Sequence, residues 1–97
     1  MEVKKTVAFD RWLRRLKNRS ARSVIADHLL RVEETGNLGK VRSVGDGVWE
    51  KKISYAGGYR LYYFLQTEES IILLYGGDKS TQARDIVRAK KIKKGMK

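Results

Sequence analysis

GYRLYYFLQTEESIILLYGG, residues 58–77, decides how the rest of the chain is read. From Tyr59 to Gln66 the side chains alternate, with Leu61, Tyr63 and Leu65 on one face and Arg60, Tyr62 and Phe64 on the other. That period of two is a strand. Thr67-Glu68-Glu69 breaks it, and Ile71-Ile72-Leu73-Leu74-Tyr75 follows with no polar face. A strand apolar on both sides is central and covered on both sides. The pair therefore predicts an antiparallel hairpin, with Gly76-Gly77 expected to turn the chain out of it.

Upstream, Val48 to Tyr55 alternates in the same way, with Trp49, Ile53 and Tyr55 on one face and Glu50, Lys52 and Ser54 on the other. Lys51 interrupts the apolar side, and the reading is a lysine that snorkels at a sheet edge. Gly45-Asp46-Gly47 and Ala56-Gly57-Gly58 are turn signals, and Lys40–Val44 is a short β-branched strand. A further edge strand is expected within 2–7. Before the meander, Phe9, Trp12, Leu13 and Leu16 fall on one helical stripe, as do Ala21, Val24, Ile25, His28, Leu29 and Val32. Ser20 is expected to cap the second helix and Gly36 to end it in a left-handed conformation. Residues 80–94 have helical propensity and run into the basic tail Lys90, Lys91, Lys93, Lys94 and Lys97. The predicted fold is α+β, a single domain over 1–97. An N-terminal helical hairpin packs on a small antiparallel β-meander, and a C-terminal helix follows.

The 97 residues carry 22 Lys+Arg against 11 Asp+Glu, a formal charge of +11. Such a field on so small a surface favours polyanions or acidic proteins as partners. Cysteine is absent, which excludes disulfides and thiolate chemistry. Residues 1–8 lack the apolar core of a secretory signal, and the run 71–75 is far too short to cross a bilayer. A soluble, cytoplasmic protein without a membrane partner is expected.

YGGDKSTQARD, residues 75–85, half imitates a phosphate loop, but Asp78 separates Gly77 from Lys79, so the G-x-x-x-x-G-K-[ST] geometry fails. Asp78 or Ser80 instead suits a cap for the last helix, beside which Lys79, Gln82 and Arg84 favour an anion. His28 is the only histidine and lies in an apolar register, which excludes a His–His ribonuclease pair and a Ser/His/Asp set. The carboxylates show no metal-ligand spacing, and neither a metal nor an organic cofactor is expected. Tyr55, Tyr59, Tyr62, Tyr63 and Tyr75 interleave with cations and suit either packing or base stacking.

Four segments, FDRWLRRL, GNLG, GYRLYYF and GGDKSTQARDI-RAK, occur in order over nearly the whole chain. Together they resemble the HigB-like "addiction module killer" branch of the RelE/ParE toxin superfamily. The resemblance implies a type II toxin that cleaves mRNA in the ribosomal A site without metal. It also implies neutralisation by an antitoxin with a helix-turn-helix domain, through which the complex would bind operator DNA. ParE-like members poison DNA gyrase instead, so that activity stays open as the alternative. Carried over by residue, the resemblance makes Arg60 the grip on the scissile phosphate, with Lys52, Glu50 and Lys79 as catalytic candidates. Asp78, Gln82, Tyr55, Tyr62 and Arg84 are the substrate-binding candidates. The C-terminal tyrosine of RelE has no counterpart within residues 80–97, and Tyr55 or Tyr62 is the candidate to replace it.

Overall fold

The computed structural model describes residues 1–96, so Lys97 of the basic tail lies outside the described residues. In chain order it contains β1 (Glu2–Lys5), α1 (Val7–Arg15), α2 (Arg19–Thr35), β2 (Val41–Gly45), β3 (Val48–Ile53), β4 (Tyr59–Thr67) and β5 (Ser70–Asp78). A single 3-10 turn (Lys79–Thr81) then leads into α3 (Gln82–Lys94). The sheet has the order β1-β5-β4-β3-β2. Strands β2 to β5 form the antiparallel meander, and β1 joins the free side of β5 in parallel, with Val3 opposite Ile71. The fold is α+β, with a mixed rather than purely antiparallel sheet.

Alternation in β4 builds two cores. Leu61 and Tyr63 face the helical hairpin, where they meet Phe9, Ala21, Ile25, Leu29 and Val32. Tyr62 faces the other way and packs with Val48, Leu74 and Ala89, flanked by Ile86 and Ile92 of α3. The C-terminal helix thus covers part of the face that the hairpin leaves bare. The β5 run is buried on both sides, as a strand without a polar face must be.

At the helix ends the structure departs in part from the local signals. Asn18, not Ser20, caps α2: its Oδ1 accepts the Ala21 N–H at 3.0 Å. Both residue types are good caps, and Asn18 wins because its backbone is extended while Ser20 is already helical. Gly36 closes α2 at φ 71°. Asp78 caps the 3-10 turn rather than α3, accepting from the Ser80 N–H at 2.8 Å. Lys51 is not at an edge either. Strand β3 lies between β2 and β4, and the Lys51 ammonium, buried, donates to the Leu38 carbonyl at 2.8 Å.

Gly76 and Gly77 do not turn the chain; both lie inside β5. Their purpose is close approach. A Cβ on Gly76 would run into the Trp12 ring of α1, and one on Gly77 into the carboxylate of Asp85 of α3. The two bare positions let a helix press onto each face of the same strand. Asp85 is 3% exposed. Burial pushes its carboxyl above the ordinary value, although a hydrogen bond from the Thr81 hydroxyl pulls the other way.

Replacing Gly77 by alanine should therefore destabilise the fold by about 1–3 kcal/mol through overpacking. In a domain of this size that is a fall in Tm of roughly 4–8 °C per kcal/mol. Combining Gly77→Ala with Asp85→Ala should cost less than the two single changes added together, because the clash then has no second partner. Simple additivity in thermal melts would refute the close-approach explanation.

Candidate functional site

The face carrying α3 is open beyond the helix's first residue, and the strand registers decide what is displayed there. Lys52 pairs with Arg60 and Glu50 with Tyr62 across β3 and β4. Arg42 of β2 pairs with Glu50. Directly opposed residues share a face, so Arg42, Glu50, Lys52, Arg60 and Tyr62 collect on one side. Gln82, the first residue of α3, closes the group from above. Lys40, Val41, Arg42, Glu50, Lys52, Arg60 and Gln82 line a cleft of about 380 Å³, in which four cations surround one carboxylate.

That carboxylate is 4% exposed and heavily engaged. Arg42 Nε donates to Glu50 Oε1 at 2.8 Å, and Gln82 Nε2 donates to Oε2 at 2.9 Å. Arg60 Nε stands 3.9 Å from Oε1, an ion pair beyond hydrogen-bond length. Burial alone would raise the Glu50 pKa, but the hydrogen bonds from Arg42 and Gln82 outweigh it and hold the carboxyl below its ordinary value. Glu50 is an anchored anion, which makes it a poor proton acceptor. Its geometry suits holding the neighbouring donors in place.

Arg60 is only 8% exposed, yet its Nε and Nη1 have no hydrogen-bond partner. Leaving those two nitrogens unpaired is costly, and the nearby Glu50 carboxylate offsets only part of that cost. The Tyr62 hydroxyl beneath is likewise buried without a partner. Burial, then the charge of Glu50, raises its pKa far above neutrality, so the phenol stays protonated. With 0% exposure, Tyr62 cannot stack on a base as the sequence suggested; it supports the floor.

The remaining candidates stand apart. Lys79 is exposed in the 3-10 turn and does not line the cleft. Asp78 is exposed, and its carboxyl is held low by the Ser80 hydroxyl. Arg84 is exposed on the first turn of α3, next to Asp85. Tyr55 is half-buried against the hairpin core and borders a separate depression with Lys52, Ser54 and Gly58. Sequence reasoning missed Lys40 and Arg42. The signal was present for Arg42, because a short strand paired to β3 sets a cation against Glu50. Among the described residues no group of three His, Asp or Glu side chains comes together to hold a metal ion. No helix among them is long and apolar enough to cross a membrane.

The sheet order, the helical hairpin on one face and the single helix on the other define the fold of the RelE toxin. The isolated E. coli RelE toxin superimposes with a TM-score of 0.64 over 98% of each chain, at 18% identity. A mutant of E. coli RelE in the free state gives 0.64 over 90% of this chain and 95% of that one, at 16% identity. A chain of the intact E. coli RelBE toxin-antitoxin complex gives 0.63 over 79% and 94%, at 18% identity. At sequence level, residues 11–97 match the family described as Phage derived protein Gp49-like (DUF891), and the chain belongs to that family. An uncharacterized protein of Haemophilus influenzae is 44% identical over 90 residues, which span 93% of this chain and 90% of that protein.

If Glu50 is the anchor, Glu50→Gln should lower stability at pH 7 by about 1–3 kcal/mol, the cost of leaving buried charged donors short of a partner. The sign with pH follows from the depressed carboxyl. Its stabilisation is complete above the unfolded pKa of about 4.3 and fades as pH falls through the lower folded value. The gap between the two proteins in urea unfolding should thus narrow progressively as pH falls below about 4.3. A gap that stays constant from pH 7 to pH 3 would contradict the anchoring role.

Proposed function

We propose that this chain is the toxin of a toxin–antitoxin pair, of the HigB-like branch, and that it cleaves RNA using the substrate's own 2′-hydroxyl as nucleophile. The observation that carries the reading is the cleft itself, in which Lys40, Arg42, Lys52 and Arg60 surround a single carboxylate and leave a surplus of positive charge. A phosphodiester supplies the negative charge that this cluster of cations lacks. The fold shared with a protein described as a toxin, and with a chain of a toxin-antitoxin complex, supports the same reading.

In the proposed reaction the 2′-oxygen attacks the adjacent phosphorus and forms a P–O2′ bond while the P–O5′ bond breaks. The products are a 2′,3′-cyclic phosphate and a 5′-hydroxyl. The 2′-hydroxyl loses a proton to a base, and the leaving 5′-oxygen takes one up. Charge builds on the non-bridging oxygens between these events, where Arg60 and Lys52 stabilise it, which is the largest contribution such a site can make. Glu50 and Gln82 keep Arg42 and Arg60 aimed. Lys79, Asp78, Tyr55 and Arg84 are assigned to contact with the strand outside the cleft, together with ribosomal RNA if the message is cut on the ribosome. The antitoxin is expected to cover the cationic cleft, with opposite charge speeding the encounter.

Induction of the gene followed by primer extension on a reporter mRNA tests this. Discrete new 5′ ends should appear within minutes of induction. Arg60→Ala should reduce their rate of appearance by about 10²–10³-fold, the usual cost of losing one transition-state charge contact. Lys79→Ala should have an effect of about tenfold or less, as expected for an outlying phosphate contact. Growth arrest with intact transcripts would exclude the nuclease reading.

A further inference from the structure

Lys40 and Lys52 line a second groove as well as the cleft. This groove, of about 500 Å³, opens toward α2 and takes in His28, Arg31 and Lys51 together with Ser54 and the loop before β2. No carboxylate contributes to its wall. Among the described residues, none of Arg31, Lys40, Lys51 and Lys52 makes an ion pair. Like charges have been brought together here without an internal counter-charge.

Lys51 makes the point sharply. Its neighbours on the same face of β3, Trp49 and Ile53, join the apolar core, and an aliphatic residue would continue them. Instead an ammonium with three donors is 5% exposed and bonded to one carbonyl, that of Leu38. Burial, followed by the charge of Arg31, depresses its pKa. His28 is depressed in the same way by burial, then by Lys51 and Arg31, with Asp27 opposing weakly. A cation in such a position costs stability unless an anion meets it, and the groove that it lines holds no carboxylate.

We propose that this groove holds a backbone phosphate of a nucleotide flanking the one gripped at Arg60. A single RNA strand would then run from the cleft across Lys40 and Lys52 to Arg31. The inference rests on reading the cleft as an RNA site. It adds a direction to the strand path and a second subsite that fixes how the strand is threaded. A strand fits better than a compact anion because the two depressions share a wall of two lysines, the cleft sets one carboxylate against four cations, and the groove has none.

The test uses fluorescence anisotropy with the whole chain and RNAs carrying 2′-deoxy sugars, so that no cut occurs. One probe is a dinucleotide confined to the cleft, and the other is an octanucleotide. Arg31→Ala and Lys51→Met should each weaken octanucleotide binding about five- to tenfold, the worth of one charged contact. The dinucleotide should bind as before. The slope of log K against log salt should flatten by about 0.7 for the octanucleotide alone, one single-strand phosphate. Lys51→Met should keep or raise Tm, since a lysine kept only for structure would lower it. Equal weakening of both probes, or an unchanged octanucleotide in both variants, overturns the subsite. If Arg60→Ala leaves both probes unaffected while the groove variants weaken the octanucleotide, the cleft reading falls and the groove stands.

Discussion

One buried carboxylate organises the cationic face. Glu50 receives a hydrogen bond from Arg42 on β2 and one from Gln82 on α3, and it faces Arg60 on β4. Three elements separated along the chain are thereby tied to β3 by a single anion. In a chain of +11 this is a demanding arrangement, because any cation lacking a neighbour of opposite sign repels the others. Glu50 offsets part of that repulsion for Arg42 and Arg60, and its geometry leaves Arg60 incompletely satisfied. The cleft is therefore held in its frame and keeps a surplus of positive charge, the condition under which an incoming anion gains most.

The same economy explains the two faces of the sheet. On the hairpin side, aromatic and aliphatic residues fill the space between β4, β5 and the helices. On the other side, α3 covers only Val48, Tyr62 and Leu74 and their neighbours. The strand ends beyond it stay open to solvent. Gly77 lets Asp85 sit directly against β5, which fixes how α3 starts and so where Gln82 reaches. A stabilising contact and a functional position are thus coupled through one missing methyl group.

Much of this was legible in the residues. Period-two alternation located β3, β4 and β5, and helical stripes located α1 and α2, because both signals come from burial on one face. What escaped was set by tertiary contact. Asn18 and Ser20 are equivalent caps until the backbone between the helices is known. Gly76-Gly77 looks like a turn, because a glycine pair has the same appearance whether it provides φ freedom or room for a neighbour. Lys51 looks like an edge residue until the strand order places β2 outside it. For the site, Arg60, Lys52, Glu50 and Gln82 meet in the cleft because alternation puts the first three on one face. Lys79 does not line it, since the 3-10 turn carries it past the strand end. Spacing along a sequence cannot report that displacement.

The pairing of β1 with β5 has a consequence for how the chain is made. Thr6 donates its hydroxyl to the Leu74 carbonyl at 2.9 Å across 68 positions while capping α1, and its N–H bonds to Leu73. Strand β1 and helix α1 thus have their lasting partners in β5, which is made much later than they are. Until then the amphipathic hairpin has no sheet to cover, and contacts of such long range make folding slow. The cationic face, which needs Gln82 as well as β2 to β4, cannot be finished before α3 has left the ribosome.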